Sequence, residues 1–299
     1  MSTQTQATPD LNPVFKAALW MTGAITSFTS MAVAGRAVSF ELDTFEIMLY
    51  RSIAGIVIVL LISTMAGTRH QITTRSMHLH LVRNISHFAG QNLWFYAIAI
   101  LPLAQVFALE FTSPLWVVLL SALLLGEKLT KPRCIAALIG FVGILIVARP
   151  NPDSFDIRLL LATGAAIGFA GSAVFTKLLT RTETITCILF WLVLMQAVFG
   201  LICAGLDGDI AVPSAATWPW IALISCAGLV AHFCLTSALR IAPASVVMPF
   251  DFLRLPLIAI IGMLFYSEPL DIFVILGAVV IFGANYYNIL RETRSVAAK

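Results

Sequence analysis

Residues 95–129 read FYAIAILPLAQVFALEFTSPLWVVLLSALLLGEKL, and residues 238–270 read ALRIAPASVVMPFDFLRLPLIAIIGMLFYSEPL. At an offset of 141 residues, Ala97, Ile100, Pro102, Glu110, Phe111, Glu127 and Leu129 meet Ala238, Ile241, Pro243, Asp251, Phe252, Glu268 and Leu270. The same offset carries Thr22, Gly23, Ala24, Phe28, Ala32 and Val33 onto Thr163, Gly164, Ala165, Phe169, Ala173 and Val174. Apolar composition alone gives scattered alanine and leucine coincidences. It does not readily give matched prolines and acids at one shared offset, so the chain is a duplication.

Composition says where the two copies live. Of 299 residues, 60% are hydrophobic and 11% charged, against about 25% charged in soluble domains. Such a chain is not a soluble enzyme, a nucleic-acid binder or a disordered segment, and a net charge of +3 implies no nucleic-acid partner. Its apolar runs match the ~30 Å hydrocarbon core of a bilayer and are separated by short polar or Pro/Gly breaks. They predict ten helices near 14–35, 44–65, 79–100, 103–125, 133–148, 157–178, 184–205, 217–239, 245–266 and 270–290. The strict alternation of membrane-spanning strands is missing. A polar tail, 1–13, lacks the basic region and cleavage site of a signal peptide; a first five-helix unit takes 14–150, a second 151–290, and a short tail 291–299. Cys134, Cys187, Cys203, Cys226 and Cys234 have no metal-ligand spacing and read as free thiols in or beside apolar segments.

Basic residues set the expected orientation. With an even helix count both termini share a side, and thirteen of the eighteen Lys and Arg residues fall there, against Arg36, Arg149 and Arg158 on the other. Arg51 and Arg254 lie inside spans. Both termini are therefore expected in the cytoplasm. Five helices per unit is an odd number, so the second copy must insert upside down. That is the inverted repeat of many secondary transporters, with a substrate site near the midplane where the halves meet. Two such units give two related conformations, one open to each side, and alternating access follows.

The two quoted stretches resemble the EamA-type repeats of the drug/metabolite transporter superfamily. The resemblance rests on the proline in the turn before the fourth and ninth helices, the mid-helix prolines, the helix-ending Gly126-Glu127 and Ser267-Glu268, and the run GFVGILIVARP at 140–150. It covers nearly the whole chain and implies an all-α membrane protein of ten transmembrane helices, built as two inverted five-helix EamA-like repeats. Within the superfamily the chain most resembles bacterial exporters of the YddG type. That implies export of aromatic and other neutral amino acids across a bacterial inner membrane. The superfamily also handles vitamins, nucleotide derivatives and drugs, so uptake of a vitamin or nucleoside-like metabolite is the alternative.

Polar residues inside spans supply the candidate site, because a charge at a helix centre costs at least about 2.5–3.5 kcal/mol. His80, Asn84, His87, Gln91 and Trp94 follow 4-3-4-3 spacing and share one face of the third helix. That face must meet a wet cavity or partner groups, with His87 and Gln91 deepest, while His80 and Arg83 lie near the cytoplasmic end. His232 falls opposite Gln91 at the repeat offset. Glu110 and Asp251 are repeat mates. Asp251 has Arg254 three residues on, a spacing that allows an ion pair; the alternative is a proton or substrate-ammonium site, for which Glu110 is the freer acid. Arg51 either snorkels or meets an acid across the bundle.

Trp20, Trp94 and Trp116 are candidate aromatic walls, although membrane interfaces also recruit tryptophan. Pro114, Pro249 and Pro256 would bend counterpart helices, as gates or as static kinks. Gly164, Gly168 and Gly171 form a close-packing face. The expectation is a secondary transporter whose substrate meets Trp20, Trp94 and Trp116 together with His87, Gln91, Glu110 and His232. With no nucleotide-binding loop, a substrate or proton gradient would drive it. No cofactor, metal or obligate protein partner is expected beyond the small-molecule substrate and the bilayer. A membrane enzyme acting on a lipid-phase substrate would need clustered acids of the DxxxD kind, which the chain lacks.

Overall fold

The computed structural model describes residues 12–100, 109–148, 159–206, 208–254 and 272–297, with 257–258, 260–261 and 264 between the last two stretches. Helix α1 (Pro13–Val38) begins where the Asn12 side chain accepts the Val14 amide, and α2 (Thr44–Met65) begins on a capping box between Asp43 and Glu46. Next come α3 (Met77–Ile100) and α4 (Ser113–Leu120), which loosens into a π turn over Ser121–Leu125. Gly126 ends that turn at φ 67°, a left-handed conformation that favours glycine. Then follow α5 (Lys131–Ala148), α6 (Leu159–Leu179), α7 (Ile185–Ala204) and α8 (Trp218–Ile241). Helix α9 (Ala244–Val247) tightens at once into 3-10 turns over Met248–Leu253, and α10 covers Ile272–Ala297, well past the predicted end at 290.

Among the described residues, α1, α2, α7, α8 and the Leu160–Leu179 part of α6 are long and apolar enough to cross a membrane. Length and composition therefore support five spans directly, not ten. Helix α3 is long enough, but its polar face lowers its hydropathy. The predicted helices 103–125 and 245–266 are interrupted: residues 111–112 form a turn before α4, and α9 passes into 3-10 turns. Pro114 sits in the first turn of α4, after the turn at 111–112, where a missing N–H costs nothing because that amide lacks an intrahelical partner. Pro249 lies where α9 passes without a gap into 3-10 turns, inside one continuous helical run, and Pro256 lies outside the described residues.

The outer face is apolar. Val57, Leu61, Ile62, Leu123, Leu201 and Ile202 are all more than half exposed, a surface that suits lipid and would aggregate in water. All five cysteines are free, and Cys226 is exposed rather than buried.

Packing follows the duplication. Helix α1 lies along α8, α3 along α6, α2 along α7 and α5 along α10. Replacing each helix by its mate at the repeat offset returns the same set: α1 with α8 becomes α6 with α3, and the other two pairs map onto themselves. The symmetry extends to atoms. A Cβ on Gly23 would lie 2.9 Å from Cys234 Sγ, and one on its mate Gly164 would lie 3.1 Å from Leu93 Cδ1, the mate position of Cys234. A Cβ on Gly168 would come within 2.7 Å of Gly90 Cα and 2.8 Å of the Ser86 carbonyl, so α3 and α6 touch backbone to backbone. Phe111 and its mate Phe252 meet Ile144 and Ile281 in a fully buried cluster between α5 and α10.

The turn between α8 and α9 is fastened from both halves. Lys177 Nζ donates to the carbonyls of Leu239 and Ala242 at 2.5 and 2.8 Å, which caps the C-terminal end of α8. The Glu127 carboxylate accepts the amides of Ala244 and Ser245 at 2.9 and 3.1 Å at the start of α9. On the other side of the repeat, Glu41 accepts from the Thr217 hydroxyl and the Ser214 amide, which hold its carboxyl below the usual range.

Candidate functional site

A cavity of about 80 Å³ opens where the broken helices approach α1, α3, α6 and α8, room for several waters. The 4-3 spacing of α3 turns His87, Gln91 and Trp94 into it. Helix α8 adds His232, α1 adds Phe28 and Met31, α6 adds Phe169, and the interrupted segments add Glu110, Ser113, Asp251 and Arg254. Two predicted walls are elsewhere. Trp20 is 39% exposed on the outer face, its ring edge-on to Phe233 at 5.6 Å. Trp116 packs against the apolar cluster formed by α1, α4, α6, α8 and α9. Neither lines the cavity, where Phe28 and Phe169, repeat mates, take aromatic positions beside Trp94.

The acids converge on one base. Arg254 Nη2 donates to Glu110 Oε1 at 2.5 Å and to Asp251 Oδ2 at 3.0 Å, so the repeat mates share a single guanidinium. Trp94 Nε1 donates to Glu110 Oε2 at 2.5 Å. Glu110 is therefore not the freer acid that its own helix suggests, because its base arrives from the other half of the molecule. The guanidinium carbon also lies 4.9 Å from the centre of the Phe111 ring and 5.7 Å from that of Phe28, distances at which an aromatic face attracts a cation. Position 113, the mate of Arg254, is a serine. Ser113 Oγ, Asp251 Oδ1 and Arg254 Nε are buried with no hydrogen-bond partner among the described residues.

Opposite them stand two imidazoles, His87 and His232, edge to face with ring centres 4.8 Å apart. Phe28 meets the His232 ring edge-on at 5.5 Å. The Nε2 atoms of both histidines are buried and unpartnered among the described residues. Arg83 Nη2 lies 3.4 Å from His232 Nδ1. Because a guanidinium only donates, that nitrogen accepts and Nε2 carries the proton.

Arg83, six residues into α3, is buried among polar partners. It is 2% exposed and donates to Thr176 Oγ1 and Asn84 Oδ1 at 3.2 and 3.0 Å. Its position four residues before His87 placed it on the same face, a signal that distance from the helix end obscured. Arg51 neither snorkels nor meets an acid among the described residues. It is buried, with Met31 and Met48 sulfurs 3.8 Å from Nη1. Gln196 of α7, which donates to Asn84 Oδ1 at 3.1 Å, also lay beyond the sequence reading.

At the far end of α3, His80, Glu183 and Cys187 bring ligand-type atoms within 4.8 Å of one another, the one such grouping among the described residues. The Glu183 carboxylate is already engaged, by Ser76 Oγ at 2.7 Å and Thr73 Oγ1 at 3.0 Å. Burial pushes its carboxyl upward, but those hydroxyls outweigh burial and hold it below the usual range. The trio reads as a hydrogen-bonded clasp between α3 and α7.

Residues 15–149 and 157–289 each match the EamA-like transporter family. A riboflavin transporter of Brucella anthropi is 34% identical over 251 residues, covering 83% of this chain and 88% of that protein. An S-adenosylmethionine uptake transporter of Rickettsia bellii is 23% identical over 290 residues, covering 94% of this chain and 95% of its own. A crystal structure with 17% identity covers 93% of this chain and 98% of its own at a TM-score of 0.78, which bears on the fold alone. These relatives are transporters rather than enzymes, and their cargoes do not support the resemblance to YddG-type amino-acid exporters.

Proposed function

This chain belongs to the EamA-like transporter family, and we propose that it carries a planar, vitamin-like heteroaromatic metabolite of the riboflavin class across a bacterial inner membrane. The observation that carries this reading is the division of polar atoms in the cavity. A zwitterionic amino acid needs a free carboxylate for its ammonium group. Here Glu110 and Asp251 are both engaged by Arg254. The unspent atoms are His87 Nε2, His232 Nε2 and Ser113 Oγ, together with Asp251 Oδ1 and Arg254 Nε of the internally neutralised ionic group. They are single hydrogen-bonding positions beside the rings of Trp94, Phe28 and Phe169. An apolar wall with a few convergent polar atoms suits a flat ring system with a polar edge. The relatives named for riboflavin support the same class.

Alternating access would use the exchange-symmetric packing of the halves, as ten spans with both termini cytoplasmic and the second unit inverted. The test is counterflow in proteoliposomes loaded with unlabelled riboflavin, S-adenosylmethionine or phenylalanine, each against its labelled form. Saturable exchange of riboflavin, lost in Trp94→Ala, is expected. Exchange of phenylalanine without riboflavin would overturn the reading and restore amino-acid export.

A further inference from the structure

Two buried arginines are left over when the site is described. Arg51 (7% exposed) and Arg83 (2%) have no carboxylate partner among the described residues, and they lie within electrostatic reach of each other. Arg83 spends its donors on neutral acceptors: a threonine hydroxyl, an asparagine carbonyl and the His232 ring. Arg51 has weak sulfur acceptors at one nitrogen, and its Nη2 would stand 3.1 Å from a Cβ on Gly228, one turn before His232 on α8. Neither arginine has a basic mate, since positions 192 and 224 hold Leu192 and Ile224. Their charge is therefore not part of the duplicated design. Two like charges buried together without a counter-charge are unfavourable, and the repulsion grows as water is excluded.

A second, smaller cavity of about 10 Å³ is lined by Arg51, Ser52, Gln196, Ser225 and His232, and Arg83 stands behind it, against the His232 ring. That volume corresponds to about one water. His232 also lines the main cavity, so the two spaces share a wall. With Nδ1 occupied by Arg83, its proton is on Nε2, which is buried and unpartnered. Gln196, a lining residue, carries an unpartnered acceptor in Oε1, so a singly charged occupant suits the pocket better than a polyanion.

We propose that Arg51 and His232, with Arg83 behind the imidazole, form a binding site for a monatomic monovalent anion, a halide, seated in the minor cavity beside the substrate chamber. A neutral flavin brings no such charge, so this ligand is a second one, and the site does not depend on the identity of the cargo. The anion supplies the counter-charge that the two arginines lack.

The test is thermal unfolding of the full chain in neutral detergent, in a buffer whose only anion is a bulky sulfonate. Chloride, acetate or inorganic phosphate is titrated in at constant ionic strength. Chloride should raise Tm saturably, while acetate and phosphate, both too large for one water's space, should have little effect. Arg51→Gln and Arg83→Gln should each weaken the apparent affinity at least tenfold. Ser225→Asp, which builds a carboxylate into the pocket, should abolish the response and start near the Tm that the wild type reaches at saturation. A wild-type Tm indifferent to chloride would overturn the proposal. So would a response that follows salting-out strength and persists in Arg51→Gln, or one that survives unchanged in Ser225→Asp.

Discussion

At the residue scale the site turns on Arg254. Removing one member of a buried ionic group leaves an uncompensated charge, while removing the whole group can be nearly neutral. Arg254→Met, which strands Glu110 and Asp251 together, is therefore expected to cost about 3–5 kcal/mol. Adding Glu110→Gln and Asp251→Asn should recover most of that loss, read as unfolding by denaturing detergent across the set. A second prediction concerns Glu183. Its folded carboxyl lies below the ordinary 4.5 because Ser76 and Thr73 donate to it. It binds protons less readily folded than unfolded, so its contribution is full above about pH 4.5 and is lost as pH falls through the folded value. Glu183→Gln should flatten the acid side of a Tm–pH profile and leave Tm at pH 7 to 8 parallel to the wild type. The 4-3 spacing that places His87, Gln91 and Trp94 together was legible in the sequence, because a polar face cannot point at lipid. Trp20 and Trp116 were not, because tryptophan suits a cavity wall, a lipid-facing surface and a packed core alike. Only the direction of each helix face distinguishes them.

At the scale of elements, close backbone approach and helix interruption carry the consequences. Gly168→Leu would drive a side chain into Gly90 and the Ser86 carbonyl, which are backbone atoms that cannot turn aside. A loss of about 1–3 kcal/mol is expected from overpacking, and separation of α3 from α6 should lower transport and Tm together. Pro114→Ala should behave differently. The proline stands in the first turn of α4, where it suits the backbone without being required. A change in stability of less than about 1 kcal/mol, with transport retained, is expected; a severe loss of transport at unchanged Tm would instead support a gate. Prolines in an apolar run announced a disturbed helix, but not whether the helix bends or stops. That depends on where hydrogen bonding resumes. The break places Glu110 two residues before the turn ends, and a bent continuous helix would have aimed it elsewhere.

At the scale of the molecule, the repeat was readable from one offset, while the pairing of α1 with α8 and α3 with α6 was not, because it depends on how two copies interlock in space. The α1–α8 contact offers a direct lock. A Cβ at position 23 would stand 2.9 Å from Cys234 Sγ and 3.8 Å from its Cβ, the spacing of a disulfide. Gly23→Cys should crosslink to Cys234 under mild oxidation. If α1 and α8 slide during the cycle, transport should stop and return with reductant; unimpaired transport of the fully crosslinked protein would show that this seam stays closed while others move.

The sharing of Arg254 also says something about descent. Two copies of the first half would bury a pair of glutamates facing two serines, with no cation from this position to balance them. Two copies of the second half would bury two aspartates with two arginines and remain neutral. The halves are therefore no longer interchangeable parts of a symmetric dimer. The first depends on its sister for a charge it does not encode, and carriage in one chain ensures that neither is inherited without the other.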